Sequence, residues 1–222
     1  MAVIAPKRKD IENPKIIKRY SASLRLWHWL NALVITGSLL TVLLDSTLLK
    51  TRKNSVLIKN TLQDAGATVT DKQARSAAHE LSDKVWELHT YIGYVLAGLL
   101  LFRLLLEFFQ VADQKLIRKL KVAYTQYVIV KQNRELSRHE FWVKTLYAMF
   151  YIMLIIQAIT GLCLAFEDDV PALKQIHAFR EVHSFNMYLI LAFIVIHLAG
   201  VFLAERKDSQ GIVSDMINGG RG

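Results

Sequence analysis

Apolar and polar positions in this chain are gathered into alternating blocks and are not interleaved. Four apolar blocks, 26–49, 86–109, 142–166 and 179–204, are separated and flanked by polar stretches. Each exceeds the about 20 residues a helix needs to cross the hydrocarbon core of a bilayer. Their middles are nearly free of charge: 26–44 has none, and Glu87, Lys144, Arg180 and Glu181 lie within three residues of a block end. Arg103 stands out as the exception. The pattern predicts an all-α integral membrane protein, an up-and-down four-helix bundle forming one domain over 1–222. The pieces between and beyond the spans are 25, 36, 32, 12 and 18 residues long. None is large enough to bury a useful core, so a separate soluble catalytic domain is excluded.

Composition agrees. Hydrophobic residues make up 53% of the chain, above the roughly 45–50% usual in soluble domains, and mean hydropathy is +0.26. A single cysteine, Cys163, excludes an internal disulfide and any thiolate-held cluster, and reads as a small apolar filler. An even number of spans puts both termini on one side. Seventeen Lys and Arg fall in the two tails and the second loop, against eight in the first and third loops. The positive-inside rule then predicts both termini in the cytoplasm. The N-terminal 25 residues lack a signal-peptide layout, so the first span is expected to be retained.

A net charge of +9 raises the question of nucleic acid, but the basic residues are spread over loops flanking the spans. Anionic lipid is the simpler partner, and no nucleic acid is expected. In the second loop Leu116, Ile117, Leu120, Tyr124 and Tyr127 recur at helical spacing among Lys115, Arg118, Lys119 and Lys121. This predicts an amphipathic helix in the membrane interface, with a partner-docking surface as the secondary reading. The first loop is polar and mixed in charge, and its 71–83 stretch reads as helical.

Histidines carry the candidate chemistry. Four of seven, His28, His89, His183 and His197, lie inside spans, where an ionisable side chain is costly. His183 and His197 are 14 residues apart on the fourth span, hence on one face and roughly 21 Å apart along the axis. His28 opens the first span, at the inner depth of His197. His89 opens the second, at the outer depth of His183. Two pairs result, one per membrane face. Two imidazoles converging from two helices suit an iron porphyrin held through both axial positions, and two stacked pairs make a transmembrane electron wire. Zinc lacks the further ligands it normally takes, and a proton relay lacks carboxylates at intermediate depth.

Arg103, 14 residues after His89 on nearly the same face, answers either to a propionate of the inner haem or to snorkelling toward headgroups. Gly93, one turn after His89, answers either to close helix packing or to clearance for a flat macrocycle. His79, His139 and His177 lack partners at matching depth and read as solvated. Trp27, Trp29, Trp86 and Trp142 read as interface anchors.

These residues resemble the b-type cytochrome subunit of membrane-bound nickel-iron hydrogenases, within the four-helix bacterial di-haem cytochromes b. Arg25-Leu26-Trp27-His28-Trp29-Leu30 resembles the family's helix-one opening. His89 with Gly93 and Arg103 resembles its helix two, Ile159-Thr160-Gly161 the close of helix three, and the stretch 183–197 helix four with two ligands. Ser214-Asp215-Met216-Ile217-Asn218-Gly219 resembles a C-terminal segment of the hydrogenase branch. Helix one departs in one respect: the family's Thr-Gly pair is here Thr41-Val42, with Gly37 earlier, which bears on how closely helix one approaches the outer haem.

The resemblance implies two haem b groups, with His28 and His197 ligating the inner iron and His89 and His183 the outer. It also implies electron transfer from an outer-face iron-sulfur or hydrogenase small subunit to the quinone pool, and no catalytic residues of the chain's own. Competing readings are a free-standing superoxide:quinone oxidoreductase, whose first-loop Lys50, Arg52 and Lys53 would attract the anion, a membrane anchor for a formate- or thiosulfate-type oxidoreductase, and a haem-free scaffold.

Overall fold

The computed structural model describes residues 22–109, 116–130, 134–207 and 211–219. Among these no strand occurs. The elements are α1 (Ala22–Thr47), α2 (Thr51–Asp64), α3 (Asp71–Phe109), α4 (Leu116–Tyr124) running into a π-helical turn (Thr125–Val130), α5 (Arg134–Ala165), α6 (Pro171–Lys174), α7 (Ala178–Lys207) and α8 (Ile212–Asn218). Four of them, α1, α3, α5 and α7, are long and apolar enough to cross a membrane. The chain is an all-α, multi-pass membrane protein.

Its surface is inverted relative to a soluble protein. Leu33, Leu43, Leu101, Phe102, Ile152, Ile159, Val195 and Leu198 are exposed, whereas Asn31, Thr41, Thr160 and Asn186 are buried. Apolar side chains outward and hydrogen-bonding groups inward is the arrangement a hydrocarbon solvent selects.

The chain divides into two compact units. One comprises Asn31–Asn186. Here Ile35, Leu96, Leu100 and Leu154 are buried, and α3 packs on α5. The 71–83 stretch is helical as expected, but it is continuous with the second span, so α3 runs 39 residues. Its start is a capping box: the Thr70 hydroxyl accepts from the Gln73 amide N–H at 3.3 Å, while the Gln73 side chain accepts from the Thr70 N–H at 2.9 Å.

Helix α2, within the first loop, was not anticipated, because its polar composition masks a packing face made of small residues. Ser55 faces inward, and Ala74 and Ala78 on α3 are buried, so the two helices approach closely. Lys59 Nζ bonds Asp71 at 2.7 Å across the turn. That turn ends α2 with Gly66 at φ +84°, a left-handed residue closing a Schellman pair: Gly66 N–H to Gln63 O and Ala67 N–H to Leu62 O, both 2.9 Å.

In the second loop α4 is helical, as its spacing predicts, and Tyr124 and Tyr127 pack on Phe141 with ring centres 6.1 and 5.5 Å apart. Lys115 and the side chains of Leu116, Ile117 and Lys119 lie outside the described residues. Between α5 and α7, α6 borders an open recess lined in part by Glu167, Lys174, His177 and Arg180. Arg180 bonds Glu167 at 3.1 Å, and Lys174 bonds Asp168 at 2.8 Å, holding that carboxyl below its ordinary range.

The other unit comprises Met1–Leu30 and Met187–Gly222. Its described part holds the first turns of α1, the larger part of α7, and α8. Trp29 Nε1–H donates to Met216 O at 3.1 Å, tying α8 to α1. Glu205 accepts from the N–H groups of Gly211 at 2.8 Å and Val213 at 3.2 Å, fixing the turn that leads into α8.

Candidate functional site

In the unit that holds both chain ends, His28 on α1 and His197 on α7 stand with ring centres 6.3 Å apart and planes inclined at 55°. Phe193, one turn before His197, stacks on it at 5.8 Å with planes 6° apart, and Trp29 meets His28 edge-on at 5.2 Å. His28 Nδ1 is buried and has no hydrogen-bond partner among the described residues. A buried imidazole nitrogen left in that state is costly unless something other than the described side chains meets the ring.

In the unit 31–186, His89 on α3 and His183 at the start of α7 stand 6.4 Å apart with planes at 77°. Each ring is fixed by a threonine. Thr41 Oγ1 lies 2.8 Å from His89 Nδ1, and Thr160 Oγ1 lies 3.0 Å from His183 Nδ1. Both hydroxyls give their protons to backbone carbonyls, Thr41 to Ser38 O at 2.6 Å and Thr160 to Ile156 O at 2.7 Å. On the other side of His183, Gln157 Nε2 lies 2.9 Å from Nε2. Asn186 Nδ2 donates to Gln157 Oε1 at 2.7 Å and to Met153 O at 2.8 Å.

Glycine makes the close approach of α5 to His183 possible. A Cβ at Gly161 would lie 3.1 Å from His183 Cε1 and 3.6 Å from Nδ1. The Thr41-Val42 departure in helix one leaves Thr41 within reach of His89, and a Cβ at Gly37 would meet only Ile92 at an ordinary 3.6 Å.

The spacing of each pair is that of two rings with a metal held between them. A metal–imidazole bond of about 2.0–2.1 Å plus roughly 1.2 Å from nitrogen to ring centre, taken twice, separates two collinear rings by about 6.4 Å. Both observed separations match it. Among the described residues no group of three or more His, Cys, Asp or Glu gathers around a common point. A metal here would therefore take two protein nitrogens and need the remaining donors from elsewhere, which a porphyrin's four pyrrole nitrogens supply and a bare zinc ion lacks. The residues present fit a bis-imidazole haem.

A Cβ at Gly93 would meet nothing within 4 Å among the described residues. Arg103 is half-buried, its Nε donating to Tyr151 Oη at 3.1 Å and a terminal nitrogen 3.8 Å from Glu107. His79 is exposed and paired with Asp83 at 2.7 Å, and His177 borders the recess at α6. The side chain of His139 lies outside the described residues.

Gln157 and Asn186 escaped the reading of the chain, and Thr41 and Thr160 entered it only as motif members. Their signal was available, since a polar side chain inside a span is costly enough to mark a site by itself.

Comparison with known proteins follows the same line. A probable Ni/Fe-hydrogenase B-type cytochrome subunit from Rhizobium leguminosarum bv. viciae is 23% identical over 253 residues, an alignment covering 100% of this chain and 95% of the relative. No solved structure matches the chain. The family described as prokaryotic cytochrome b561 matches residues 19–219, all four membrane-crossing helices among them, and the chain belongs to that family.

Proposed function

We propose that this membrane b-type cytochrome carries two haem b groups, one held by His28 and His197 and one by His89 and His183. It passes electrons from an iron-sulfur subunit of a hydrogenase-type partner to the quinone pool of the bacterial inner membrane, with both termini cytoplasmic. Membership of the cytochrome b561 family supports b-type haem and electron transfer. The name of the Rhizobium relative supports the hydrogenase-type donor. The observation that carries the number of haems is the pair of ring separations, 6.3 and 6.4 Å, each joining two membrane-crossing helices.

Haem b when bound supplies a one-electron ferric/ferrous couple. The chain's own residues hold it and close it. With both histidines of a pair given to one iron, the haem would have no open position for oxygen, and the site would transfer electrons without activating a substrate. Phe193 against His197 and the threonines against His89 and His183 keep the rings from turning. Gly93 would leave room beside the His89 turn for the macrocycle, and Arg103 would be the cation for a propionate.

The test is a dithionite-reduced minus oxidised spectrum of the purified protein with haem quantified per polypeptide. Two b haems per chain are expected, together with co-purification of an iron-sulfur subunit from the native membrane. Fewer than two haems, in protein made with ample haem, overturns the reading.

A further inference from the structure

The hydrogen bonds around His89 and His183 have directions that can be read from fixed ends. A backbone carbonyl only accepts. Met153 O therefore makes Asn186 Nδ2 a donor, the same NH₂ makes Gln157 Oε1 an acceptor, and the remaining Gln157 nitrogen must donate to His183 Nε2. His183 Nε2 thus carries the lone pair, and Nδ1 carries the proton. At the far side Thr160 has committed its own proton to Ile156 O, so its oxygen accepts from Nδ1–H. The chain closes without conflict from one carbonyl to the other. At His89 the nearer hydroxyl on Nδ1 is Thr41, with Ser38 Oγ farther off at 3.5 Å; Thr41 spends its proton on Ser38 O, which leaves its oxygen to accept from His89 Nδ1–H. Two threonines on different helices, α1 and α5, do the same thing to two histidines on α3 and α7.

We propose that Thr41 and Thr160 are matched positioning residues: they fix both imidazoles in the Nδ1–H tautomer, present both Nε2 lone pairs to one iron, and lower that haem's reduction potential. The inference rests on the di-haem reading and deepens it. A ligating histidine is held and made more basic by the group its other nitrogen donates to. Here that group is an oxygen whose own proton is tied to a carbonyl, which polarises it and strengthens what it accepts. A more basic ligand favours ferric over ferrous iron, so each hydroxyl biases the haem toward the lower potential.

The experiment is a potentiometric titration of the full-length haem-loaded protein, wild type beside Thr41→Val, Thr160→Val, the smaller Thr41→Ala and Thr160→Ala, and Thr41→Ser and Thr160→Ser. His89→Ala and His183→Ala identify which spectral species belongs to this pair. In the Val and Ala variants that species is expected to move to higher potential, or to be retained about 10- to 100-fold less tightly. The other haem should not move, and serine should restore the wild-type value. Unchanged potential and retention in both Val and Ala variants overturn the inference, as do serine variants that behave like valine. Failure of the underlying reading looks different: wild type holding fewer than two haems, or His89→Ala and His183→Ala removing different species.

Discussion

Gly161→Ala separates the fold from the site within a single methyl group. The added Cβ would stand 3.1 Å from His183 Cε1 and 3.6 Å from Nδ1. Ordinary carbon contacts are about 3.5–4.0 Å, so one partner must yield by a few tenths of an ångström. Helix α5 is long and well packed, with Leu154 fully buried two turns earlier, so the imidazole is what moves. Displacing it stretches the 3.0 Å bond from Nδ1 to Thr160 to about 3.3 Å, past the usual N–H···O range.

For the fold, overpacking costs about 1–3 kcal/mol while Gly→Ala in a helix returns about 1 kcal/mol, leaving a net cost of roughly 0–2 kcal/mol. The chain should therefore still insert and accumulate. For the site, an iron ligand off its axis with a weakened partner should lower retention of the His89–His183 haem about tenfold or more. Haem per polypeptide in washed membranes, beside immunoblotted chain, reads both quantities. Gly98→Ala, where a Cβ meets nothing within 4 Å, is the silent control. A Gly161→Ala protein with its full haem content and unchanged potentials would refute the reasoning, because the ring would then not be seated against Gly161.

Substitution of the histidines one at a time should sort them into two classes: His28→Ala and His197→Ala abolish one spectral species, and His89→Ala and His183→Ala abolish the other, as read in reduced-minus-oxidised spectra. Gly93→Ala should leave chain accumulation unchanged, since its Cβ would meet no other described residue within 4 Å, and should reduce haem content by crowding the macrocycle beside the His89 turn, read as haem per immunoblotted chain. Trp29→Phe removes the bond to Met216 O, a loss of about 1 kcal/mol or less for an exposed hydrogen bond. Hydrogen exchange at residues 212–218 should quicken while haem content stays the same.

What the chain reveals by itself is whatever depends on periodicity and burial. Four helices follow from four apolar blocks because a bilayer punishes any other backbone arrangement there. The histidine pairing was legible because helical rise converts residue number into depth, and depth is all that two histidines on different spans need to share. Sequence position could not reveal which side chain stands against each ring. Thr41 and His89 are 48 residues apart, and Thr160 and His183 are 23 apart, so their meeting depends on how the helices rotate about their axes. Helix α2 was hidden for a related reason: its partner face is Ser55 against Ala74 and Ala78, small residues that look featureless in a list and matter only once another helix lies on them.

The hydrogen-bonded chain in the unit 31–186 also bears on how the protein is assembled. Between spans in hydrocarbon there is no hydrophobic drive to choose one rotation over another, because lipid tails are as apolar as leucine. Side-chain packing and hydrogen bonds supply the choice. Asn186 reaching Met153 O and Gln157 sets the start of α7 against α5, and the same Gln157 completes His183. The Gln157 amide meets His183 Nε2, so this helix contact leaves no imidazole nitrogen of His183 unpaired. An iron held by His183 would take the Nε2 lone pair that the Gln157 amide now meets, and the Asn186 contacts between α7 and α5 would not have to be built around the metal. It follows that Gln157→Ala, which leaves the Thr160 bond intact but removes the competing amide, should load haem at least as readily as wild type while its unloaded form becomes the less stable of the two.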